Sequence, residues 1–331
     1  MRYQREASAG FGVLGMGSYL PDDRVTSERL GAEHGFDPEW IKEKTGVFER
    51  RFAGPDESAA FMGAESVKRA VQEARSRGGL DPDEDPEMLI AATSTPDRIV
   101  PAPAYDVHAL TGLGQTPVLN IDGGCAGFGQ SLITALGFYL ADMTRTAVVT
   151  GMNRSEAMLD LDNRRMAPLF GDGAGAFVLG PVPARYGILS TRMLTDSTER
   201  EAIRNVEKFG KAPADLTLEM NGHRLVEIFA QELPKMMTEC LGEVGLTVAD
   251  VDRFIVHQAN VRMLEMFAAL IGVDAERVPV AGDVTGNTAS ASLPITLQMS
   301  TDERPLERGD VVVLATAGAG LNGAVVVLRW Y

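Results

Sequence analysis

The sequence predicts an α/β fold made of two similar halves. Short apolar segments alternate along the 331 residues with longer segments of helical periodicity, which is the pattern of α/β proteins. A faint internal repeat is the second observation. In the first half LIAATS at 89–94 precedes SLITAL at 131–136, and in the second half FIVHQA at 254–259 precedes SLPITL at 292–297. A duplicated α/β unit explains both matches, and chance similarity between two apolar helices is the alternative.

Each proposed half closes on a valine-rich segment. These segments are AVVTG at 147–151 and VVVLATAG at 311–318. Between the halves lies GPVPARYG at 180–187, where two prolines in a short stretch predict a connector. The sequence therefore predicts an N-terminal half at 1–180 and a C-terminal half at 181–331.

Nine short apolar segments are predicted to be strands. They are rich in aliphatic residues and are bounded by glycine, proline or polar residues, as buried strands are. In chain order the predicted strands are 11–14, 88–92, 117–121, 147–150, 176–179, 187–189, 253–256, 311–316 and 324–328.

Seven longer segments are predicted to be helices. In one of them alanine and valine recur at helical spacing from Val67 to Ala74, and two glycines follow at 78 and 79. In another, Asp37 is a good N-cap and Pro38 a good first helical residue. The predicted helices are 38–44, 59–75, 102–110, 130–143, 223–244, 262–271 and 290–299.

Composition and charge narrow the class of protein. The net charge of −15 argues against general nucleic-acid binding, which requires a basic face. Two cysteines without a CxxC motif form no disulfide framework and predict a reducing compartment. The N-terminal sequence lacks the long apolar run of a signal peptide, and no window has the roughly 20 apolar residues of a membrane-spanning helix. We therefore expect a soluble cytoplasmic protein with no metal cluster and no nucleic-acid or membrane partner.

The segment NIDGGCAGFGQ at 120–130 places a cysteine between a predicted strand and a predicted helix. At the N-terminus of a helix the dipole favours the thiolate of Cys125 and lowers its pKa. Glycines on both sides allow a substrate to approach the backbone, and the N–H of Cys125 can point at a developing oxyanion. The alternative is a cysteine that packs as a small apolar side chain, which is our interpretation of Cys240.

Two polar residues lie in comparable positions in the second half. His257 ends the predicted strand at 253–256 and can act as a hydrogen-bond donor, acid or base; a hydrogen-bonded core histidine is the alternative. Asn287, in GDVTGNTASAS, corresponds under the repeat to Cys125, and an N-cap asparagine is the alternative. Papain-like proteases also have cysteine, histidine and asparagine in this order, but this chain lacks CGSCW around its cysteine.

Six motifs spread over nearly the whole chain occur in a characteristic order. They are EWIKEKTGVFERR at 39–51, CAGF at 125–128, GDGAGA at 171–176, VHQAN at 256–260, GNTASAS at 286–292 and GAGLNGAVVVLRW at 318–330. Together they resemble the β-ketoacyl-acyl-carrier-protein synthase III family, which has the thiolase fold. The resemblance implies duplicated α/β halves in a five-layer αβαβα arrangement and a homodimer.

The resemblance also implies a condensing enzyme that works in two steps. Cys125 would take an acyl group from acyl-CoA, which is a substrate and not a permanently bound cofactor. His257 and Asn287 would then hydrogen-bond the thioester oxygen of malonyl-acyl carrier protein as it loses carbon dioxide, and the carbanion would attack the acyl-cysteine. Neutral donors suit this step because they stabilise the enolate without protonating its carbon. The resemblance also implies that a loop completes the oxyanion hole together with the N–H of Cys125. This loop consists of Gly318, Ala319 and Gly320.

Four further residues match positions that bind CoA in the family. Trp40 and Arg164 would lie on opposite faces of the adenine, with Lys44 and Thr45 near the nucleotide. The alternatives are a tryptophan packed on a short helix and a solvated arginine. Asp172, in GDGAGA, is interpreted as a structural residue in a tight turn.

Two positions depart from the family pattern. The lead-in to the cysteine is usually rich in alanine, whereas here it is Gly123 and Gly124, which add backbone freedom. Val100 falls where the commonest members place a phenylalanine at the bottom of the acyl pocket, contributed across the dimer. Because valine is smaller, we expect a roomier pocket and an acyl primer longer or bulkier than acetyl. The alternative is that neighbouring side chains refill the space.

The acceptor and the pathway stay open in the sequence. Family members dock the carrier protein on a basic patch, for which this chain offers Arg262 and Arg224 but also Glu265. With a net charge of −15, a specialised carrier protein or a small molecule is an alternative acceptor. Some relatives acylate alcohols or amines or provide polyketide starter units, but intact His257 and Asn287 favour carbon–carbon bond formation. A non-catalytic partner subunit is the third class, and such subunits usually lack the cysteine.

Overall fold

A computed structural model describes residues 9–205 and 218–331 of the chain. Residues 1–8 lie outside the described residues. They belong to the N-terminal segment that, by its sequence, lacks the apolar run of a signal peptide. The described strands are β1 (Ala9–Tyr19), β2 (Arg24–Thr26), β3 (Glu49–Arg51), β4 (Leu89–Ala92), β5 (Val118–Ile121), β6 (Ala147–Asn153), β7 (Gly173–Pro183), β8 (Gly187–Thr195), β9 (Ile203–Asn205), β10 (Leu218–Met220), β11 (Arg253–Val256), β12 (Val311–Gly318) and β13 (Asn322–Arg329). The described helices are α1 (Ser27–His34), α2 (Pro38–Thr45), α3 (Ala59–Ser76), α4 (Pro103–Thr111), α5 (Gly127–Leu140), α6 (Gly222–Glu243), α7 (Val261–Ile271), α8 (Gly282–Thr285) and α9 (Ser292–Glu303).

Two large sheets repeat the same strand order. The first has the order β1-β7-β6-β4-β5, with β6, β4 and β5 parallel and β7 and β1 antiparallel to their neighbours. The second has the order β8-β13-β12-β11, with β12 and β11 parallel and the other pairs antiparallel. Strands β1, β7, β6 and β4 therefore correspond to β8, β13, β12 and β11, which supports the duplicated α/β architecture.

The elements stack in five layers. Helices α3 and α4 cover the outer face of the first sheet, and α6 and α7 cover the outer face of the second. Helices α5 and α9 lie between the sheets, where one apolar cluster contains Phe128 and Leu132 of α5, Leu293 of α9, Ile90 of the first sheet and Leu314 of the second. Because both sheets are covered on both faces, their strands are almost continuously apolar rather than alternating.

All nine predicted strands and all seven predicted helices are present, with ends that differ by a few residues. The predicted connector at 180–187 needs correction, because its first residues continue β7 and the change to the second sheet occurs between Pro183 and Gly187. Beyond Leu179 the strand pairs with β1 alone. The prolines therefore lie where one side of the strand has no ladder to interrupt.

Helices α1 and α8 and the short strands β2, β3, β9 and β10 are absent from the predictions. Helix α1 has only eight residues and alternates polar and apolar side chains without a long stripe. It does carry a start signal, since the hydroxyl of Thr26 accepts a hydrogen bond from the N–H of Arg29 at 3.1 Å. None of the described helices combines the length and the apolar character that a membrane span requires.

Candidate active site

A cavity of about 1640 Å³ brings the three predicted catalytic residues together. Cys125, His257 and Asn287 all line it, although they come from three separate chain segments. The cavity wall also includes the predicted oxyanion loop and the four predicted CoA-binding residues. These are Gly318, Ala319, Gly320, Trp40, Lys44, Thr45 and Arg164.

Cys125 lies in a single 3₁₀ turn, Gly124–Ala126, between β5 and α5. Gly124 has a positive φ of 53°, which a glycine adopts without strain. Two side chains from the β12–β13 hairpin hold this turn. The hydroxyl of Thr316 donates to the carbonyl of Cys125 at 3.0 Å, and Nδ2 of Asn322 donates to the carbonyl of Gly123 at 3.0 Å.

The prediction of a lowered thiol pKa is wrong for this structure. Burial raises the pKa of Cys125 to about 12, and a hydrogen bond to its own backbone N–H lowers it by less. The turn places the thiol at the inner wall of the cavity, where the loss of water around the thiolate outweighs the helix dipole. At neutral pH the raised pKa therefore favours the protonated thiol.

The loop after β12 lies directly against the cysteine turn. A Cβ added at Gly318 would lie 2.8 Å from the backbone nitrogen of Cys125 and 3.0 Å from that of Ala126, so no other residue fits there. Ala319 lies close to Gly124: a Cβ added at Gly124 would lie 3.4 Å from the backbone nitrogen of Ala319. The backbone groups of the predicted oxyanion loop and of Cys125 are thus neighbours.

His257 directly follows β11 and is buried. Its N–H donates to the carbonyl of Ala315 at 2.9 Å, and its carbonyl accepts from Ala259 at 3.0 Å, so the backbone is fixed on both sides. Its side-chain Nδ1 is buried with no hydrogen-bond partner among the described residues. Burial lowers the pKa of His257 to about 4, so the imidazole is neutral at physiological pH.

Asn287 is buried and held on three sides. Its N–H donates to the carbonyl of Leu169 at 2.7 Å, and its carbonyl accepts from Gly171 at 3.1 Å. Its Oδ1 accepts from the N–H of Ala289 at 2.8 Å. Because the oxygen of the amide is engaged in this way, the NH₂ group is the end that remains to donate into the cavity.

The predicted equivalence of Cys125 and Asn287 under the repeat is off by three residues. Helix α5 follows the turn Gly124–Ala126, and helix α9 follows the matching turn Ala289–Ala291. Both turns begin with a positive φ, so the position of Cys125 corresponds to Ser290. The repeat is too weak in sequence to set the register of a loop.

The four predicted CoA-binding residues differ in their contacts. Trp40 and Arg164 contact each other, whereas Lys44 and Thr45 are engaged with neighbouring residues of α2. Trp40 packs beside the small core under α2 and also lines the cavity, with the guanidinium carbon of Arg164 4.5 Å from its ring centroid. Lys44 pairs with Glu43 at 2.7 Å. The hydroxyl of Thr45 donates to the carbonyl of Ile41 at 2.7 Å, so its side chain closes the last turn of α2.

Three predicted site residues either lie outside the cavity or are hydrogen-bonded within the chain. Val100 is outside the cavity and its side chain is 83% exposed. Arg224 is also outside it and pairs with Glu199 at 2.6 Å and Glu227 at 2.9 Å. Arg262 lines the cavity, but it is hydrogen-bonded within the chain.

Several supporting residues were missed by the sequence reasoning. Thr316 and Asn322 hold the cysteine turn, and their proximity to Gly318 in the closing motif was a usable signal. Asn153 receives hydrogen bonds from the hydroxyl and the N–H of Ser290, at 2.6 Å and 3.1 Å, which ties the two halves beside the cavity. No sequence pattern connects residues that lie so far apart.

Asp172 fits the structural role that we expected. One carboxylate oxygen accepts from Ala53 at 2.8 Å and the other from Glu156 at 3.1 Å. Burial raises the pKa of Asp172 to about 6, and these backbone donors oppose the shift. Within the described ranges no group of three or more His, Cys, Asp or Glu side chains is arranged to hold a metal ion.

Comparison with known proteins agrees with this geometry. A family model described as 3-oxoacyl-[acyl-carrier-protein (ACP)] synthase III matches residues 119–197, and the model of its C-terminal part matches residues 241–330. The β-ketoacyl-[acyl-carrier-protein] synthase III 1 of Bacillus anthracis is 31% identical over 319 residues, which cover 96% of this chain and 98% of that protein.

Solved structures agree as well. The crystal structure of 3-oxoacyl-[acyl-carrier-protein] synthase III from Aquifex aeolicus VF5 matches with a TM-score of 0.90 and 30% identity, covering 97% of this chain and 100% of that one. The priming β-ketosynthase of the R1128 polyketide biosynthetic pathway matches with a TM-score of 0.90 and 29% identity, covering 100% and 98%. The chain therefore belongs to the 3-oxoacyl-[acyl-carrier-protein] synthase III family of acyl-transferring condensing enzymes, which have the thiolase fold.

Proposed function

We propose that Cys125 accepts an acyl group from acyl-CoA and that the acyl-enzyme then condenses with malonyl-acyl carrier protein. The observation that supports this is one cavity lined by the thiol of Cys125, the neutral imidazole of His257 and the amide of Asn287. A papain-like protease would instead pair a thiolate with an imidazolium. The lowered pKa of His257 and the raised pKa of Cys125 both oppose such an ion pair.

In the loading step the sulfur of Cys125 attacks the carbonyl carbon of acyl-CoA. The bond from that carbon to the CoA sulfur breaks, and CoA leaves as a thiol with the proton that Cys125 has lost. Because the raised pKa makes the thiolate scarce, the proton of Cys125 must pass to the departing CoA sulfur during the attack. The neutral imidazole of His257, in the same cavity, relays it by acting first as base and then as acid. The N–H of Cys125 and the loop of Gly318, Ala319 and Gly320 stabilise the oxyanion.

In the condensation step the malonyl thioester loses carbon dioxide and becomes an enolate. Its oxygen accepts hydrogen bonds from Nδ2 of Asn287 and from one N–H of His257. The enolate carbon attacks the acyl carbonyl carbon, and the bond to the sulfur of Cys125 breaks, which yields a β-ketoacyl thioester. The released thiolate of Cys125 then takes up a proton from water, which restores the free enzyme. A neutral His257 serves this step because an imidazolium would protonate and waste the carbanion.

For the nucleotide we propose a slot between Trp40 and Arg164, with Lys44 and Thr45 at its edge. The guanidinium carbon of Arg164 lies 4.5 Å from the centroid of the Trp40 ring, so the two side chains contact each other. An adenine stacked between them needs about 7 Å, or two van der Waals contacts of about 3.5 Å. CoA binding therefore requires the guanidinium of Arg164 to swing outward by about 3 Å and to settle on the second face of the base.

We also propose a homodimer in which Val100 of one protomer enters the acyl pocket of the other. Val100 and the adjacent Ile99 are 83% and 70% exposed, which is unusual for two consecutive aliphatic side chains and supports a partner surface. The small Val100 side chain favours a primer longer or bulkier than acetyl. The division into halves at 1–180 and 181–331, docking of the carrier protein at Arg262 and Arg224, and a cytoplasmic location stay predictions.

A second candidate is a starter-unit enzyme of a polyketide or other secondary-metabolite pathway. The observation that favours it is the match to the priming β-ketosynthase of the R1128 pathway over 100% of this chain. The chemistry at Cys125 would be the same, and the acyl chain and the acceptor would differ.

Intact-protein mass spectrometry tests the proposal. The protein and a Cys125→Ala variant are incubated with acetyl-, butyryl-, hexanoyl- and octanoyl-CoA, and malonyl-acyl carrier protein is then added. We expect one acyl adduct on the protein, none on the variant, fastest loading with a chain longer than acetyl, and discharge by the malonyl thioester. No adduct with any acyl-CoA would contradict the loading step, and strict acetyl preference would contradict the enlarged pocket.

A further inference from the structure

The C-terminal end of helix α2 is held by two side chains from the start of helix α7. Nε of Arg262 donates to the carbonyl of Glu43 at 3.2 Å, and its Nη2 donates to the carbonyl of Lys42 at 3.2 Å. Nδ2 of Asn260 donates to the carbonyl of Lys44 at 3.2 Å. The last carbonyls of a helix lack partners within that helix. The carbonyl of Lys42 also accepts from the N–H of Gly46 at 2.9 Å, so the two side chains add a second contact there and provide donors to the carbonyls of Glu43 and Lys44.

The charge of Arg262 suits this contact. The C-terminal end of a helix carries a partial negative charge, so a cation placed there is stabilising. The remaining nitrogen, Nη1, pairs with Glu265 at 2.8 Å. Each of the three nitrogens of this guanidinium therefore makes one contact within the chain, and the side chain is 45% exposed.

Helix α2 is the element that presents the proposed nucleotide site. Trp40 lies on it, and its ring forms one face of the slot that Arg164 closes. The side chains that hold α2 lie close in sequence to His257, since Asn260 follows it by three residues. The Oδ1 of Asn260 also caps α7 by accepting from the N–H of Arg262 at 2.9 Å. One short cluster thus fixes the nucleotide helix relative to the segment that carries His257.

We propose that Arg262 is a positioning residue for CoA: it fixes the C-terminal end of α2 and thereby sets the place of Trp40. The proposal rests on the proposed function only for the assignment of CoA to this cavity. It predicts that loss of Arg262 weakens binding of the nucleotide part of CoA, whereas a docking role predicts weaker use of the malonyl carrier protein alone.

The test measures binding without requiring catalysis. Isothermal titration with CoA and with 3′,5′-ADP is performed on the wild-type protein, Arg262→Ala and Arg262→Lys. We expect Arg262→Ala to raise both dissociation constants about tenfold, which corresponds to about 1.4 kcal/mol. Arg262→Lys should restore part of the affinity, because an ammonium keeps the cation at the helix end but cannot reach all the carbonyls.

Two matched variants serve as controls. Glu265→Gln removes the carboxylate partner and leaves the carbonyl contacts, so CoA affinity should be unchanged. Arg75→Ala removes an arginine that makes the same kinds of contact elsewhere, to the carbonyl of Glu84 at 2.7 Å and to Asp85 at 3.0 Å. It should not change CoA affinity either, which separates positioning of α2 from a general loss of stability.

A kinetic comparison separates positioning from docking. The acyl chain that loads fastest is supplied as its CoA ester and as its N-acetylcysteamine ester, which has no nucleotide. We expect Arg262→Ala to raise KM for the CoA ester about tenfold with kcat unchanged, and to leave loading from the N-acetylcysteamine ester and KM for malonyl-acyl carrier protein as in the wild type.

Unchanged CoA affinity in Arg262→Ala, or a rise in KM for the malonyl carrier protein alone, would overturn the positioning role. If Arg262→Ala does not fold, unchanged affinity in Arg262→Lys together with loss in Glu265→Gln overturns it equally. CoA binding that depends on Arg262 in a protein that no acyl-CoA acylates would refute the proposed function and leave this inference standing. Absence of CoA binding to the wild-type protein would refute both.

Discussion

The hydroxyl of Thr316, on the closing strand pair of the second half, donates to the carbonyl of Cys125 in the first half at 3.0 Å. The cysteine turn is therefore fixed by a residue from the other half of the chain. Asn322, also from the second half, holds the same turn by donating from Nδ2 to the carbonyl of Gly123. The position of Cys125, which we propose as the nucleophile, therefore depends on how the two halves pack.

Replacing Thr316 by valine tests this hold on the cysteine turn. Thr316→Val keeps the branched shape but leaves the carbonyl of Cys125 without its donor. We expect acylation of Cys125 to slow about fivefold, the equivalent of about 1 kcal/mol for one lost hydrogen bond. The rate is measured as the appearance of the acyl adduct by intact-protein mass spectrometry.

Thr296 provides the control for this substitution. Its hydroxyl is buried on α9 without a hydrogen-bond partner among the described residues. Thr296→Val should therefore leave the acylation rate unchanged and should not lower the melting temperature, because it removes an unsatisfied polar group. Equal slowing in both variants would show that the Thr316 contact is not specific.

Substitution of Gly318 tests the close approach of the oxyanion loop. The methyl group of Gly318→Ala would lie 2.8 Å from the backbone nitrogen of Cys125, so the loop or the turn must move. We expect acylation to slow on the order of a hundredfold, since displacements of about 1 Å in an active site have effects of that size. Gly137→Ala, on α5 with no atom within 4 Å of the added Cβ, should react at the wild-type rate. A fast Gly318→Ala would exclude this loop from the oxyanion hole.

The raised pKa of Cys125 predicts a specific pH profile for its alkylation. The pKa lies near 12, so the thiolate fraction grows about tenfold for each pH unit through the neutral range. The rate of modification by iodoacetamide should therefore rise steadily from pH 7 to 9 without a plateau. Mass spectrometry of Cys125→Ala measures any contribution from Cys240. A plateau near pH 7 would instead support the lowered pKa that the helix position alone suggested.

Substitutions of His257 and Asn287 should separate the two half-reactions. Asn287→Ala removes the amide that we assign to the enolate alone, so discharge of a preformed acyl-enzyme by malonyl-acyl carrier protein should slow at least about a hundredfold while loading persists. His257→Ala should slow both steps, because we assign it a base role in loading as well. Each step is followed by the mass of the acyl adduct. Normal discharge in Asn287→Ala would remove Asn287 from the mechanism.

The lowered pKa of His257 predicts how the rate of condensation changes as the pH falls. Burial holds that pKa near 4 in the folded protein, below its ordinary value of 6.5, so the imidazole stays neutral as pH falls from 7 to 5. Discharge of the acyl-enzyme should then be nearly constant over this range. The same shift favours unfolding in acid, because the unfolded chain gains a proton on His257 below about pH 6.5 and the folded one does not.

Much of the fold was predictable because the long elements carry their own signals. The strands β12 and β13 can be recognised from their valine-rich composition, and the amphipathic helix α3 can be recognised from its periodicity. The short helix α1 and the extension of β7 through two prolines could not be predicted, because their stability comes from pairing and packing with distant segments.

The sequence indicated which residues share the cavity better than it indicated their properties. Cys125, His257 and Asn287 stand out because each follows a strand or precedes a helix, and they line one cavity. The pKa of Cys125 was predicted in the wrong direction, since a helix terminus is visible in sequence and burial is not. The hydrogen bonds of Arg262 to α2 were invisible for the same reason, as their partners lie far away in the chain.

The shared middle layer has a consequence for how the protein is made. One apolar cluster joins Phe11, near the start of the described chain, to Trp330 at its end, through side chains of α5 and α9. During synthesis the first sheet and α5 leave the ribosome long before β13 exists to cover them. Until β13 has been made, the apolar side chains of the first sheet and of α5 therefore stay exposed on the nascent chain, and such exposed surface favours aggregation.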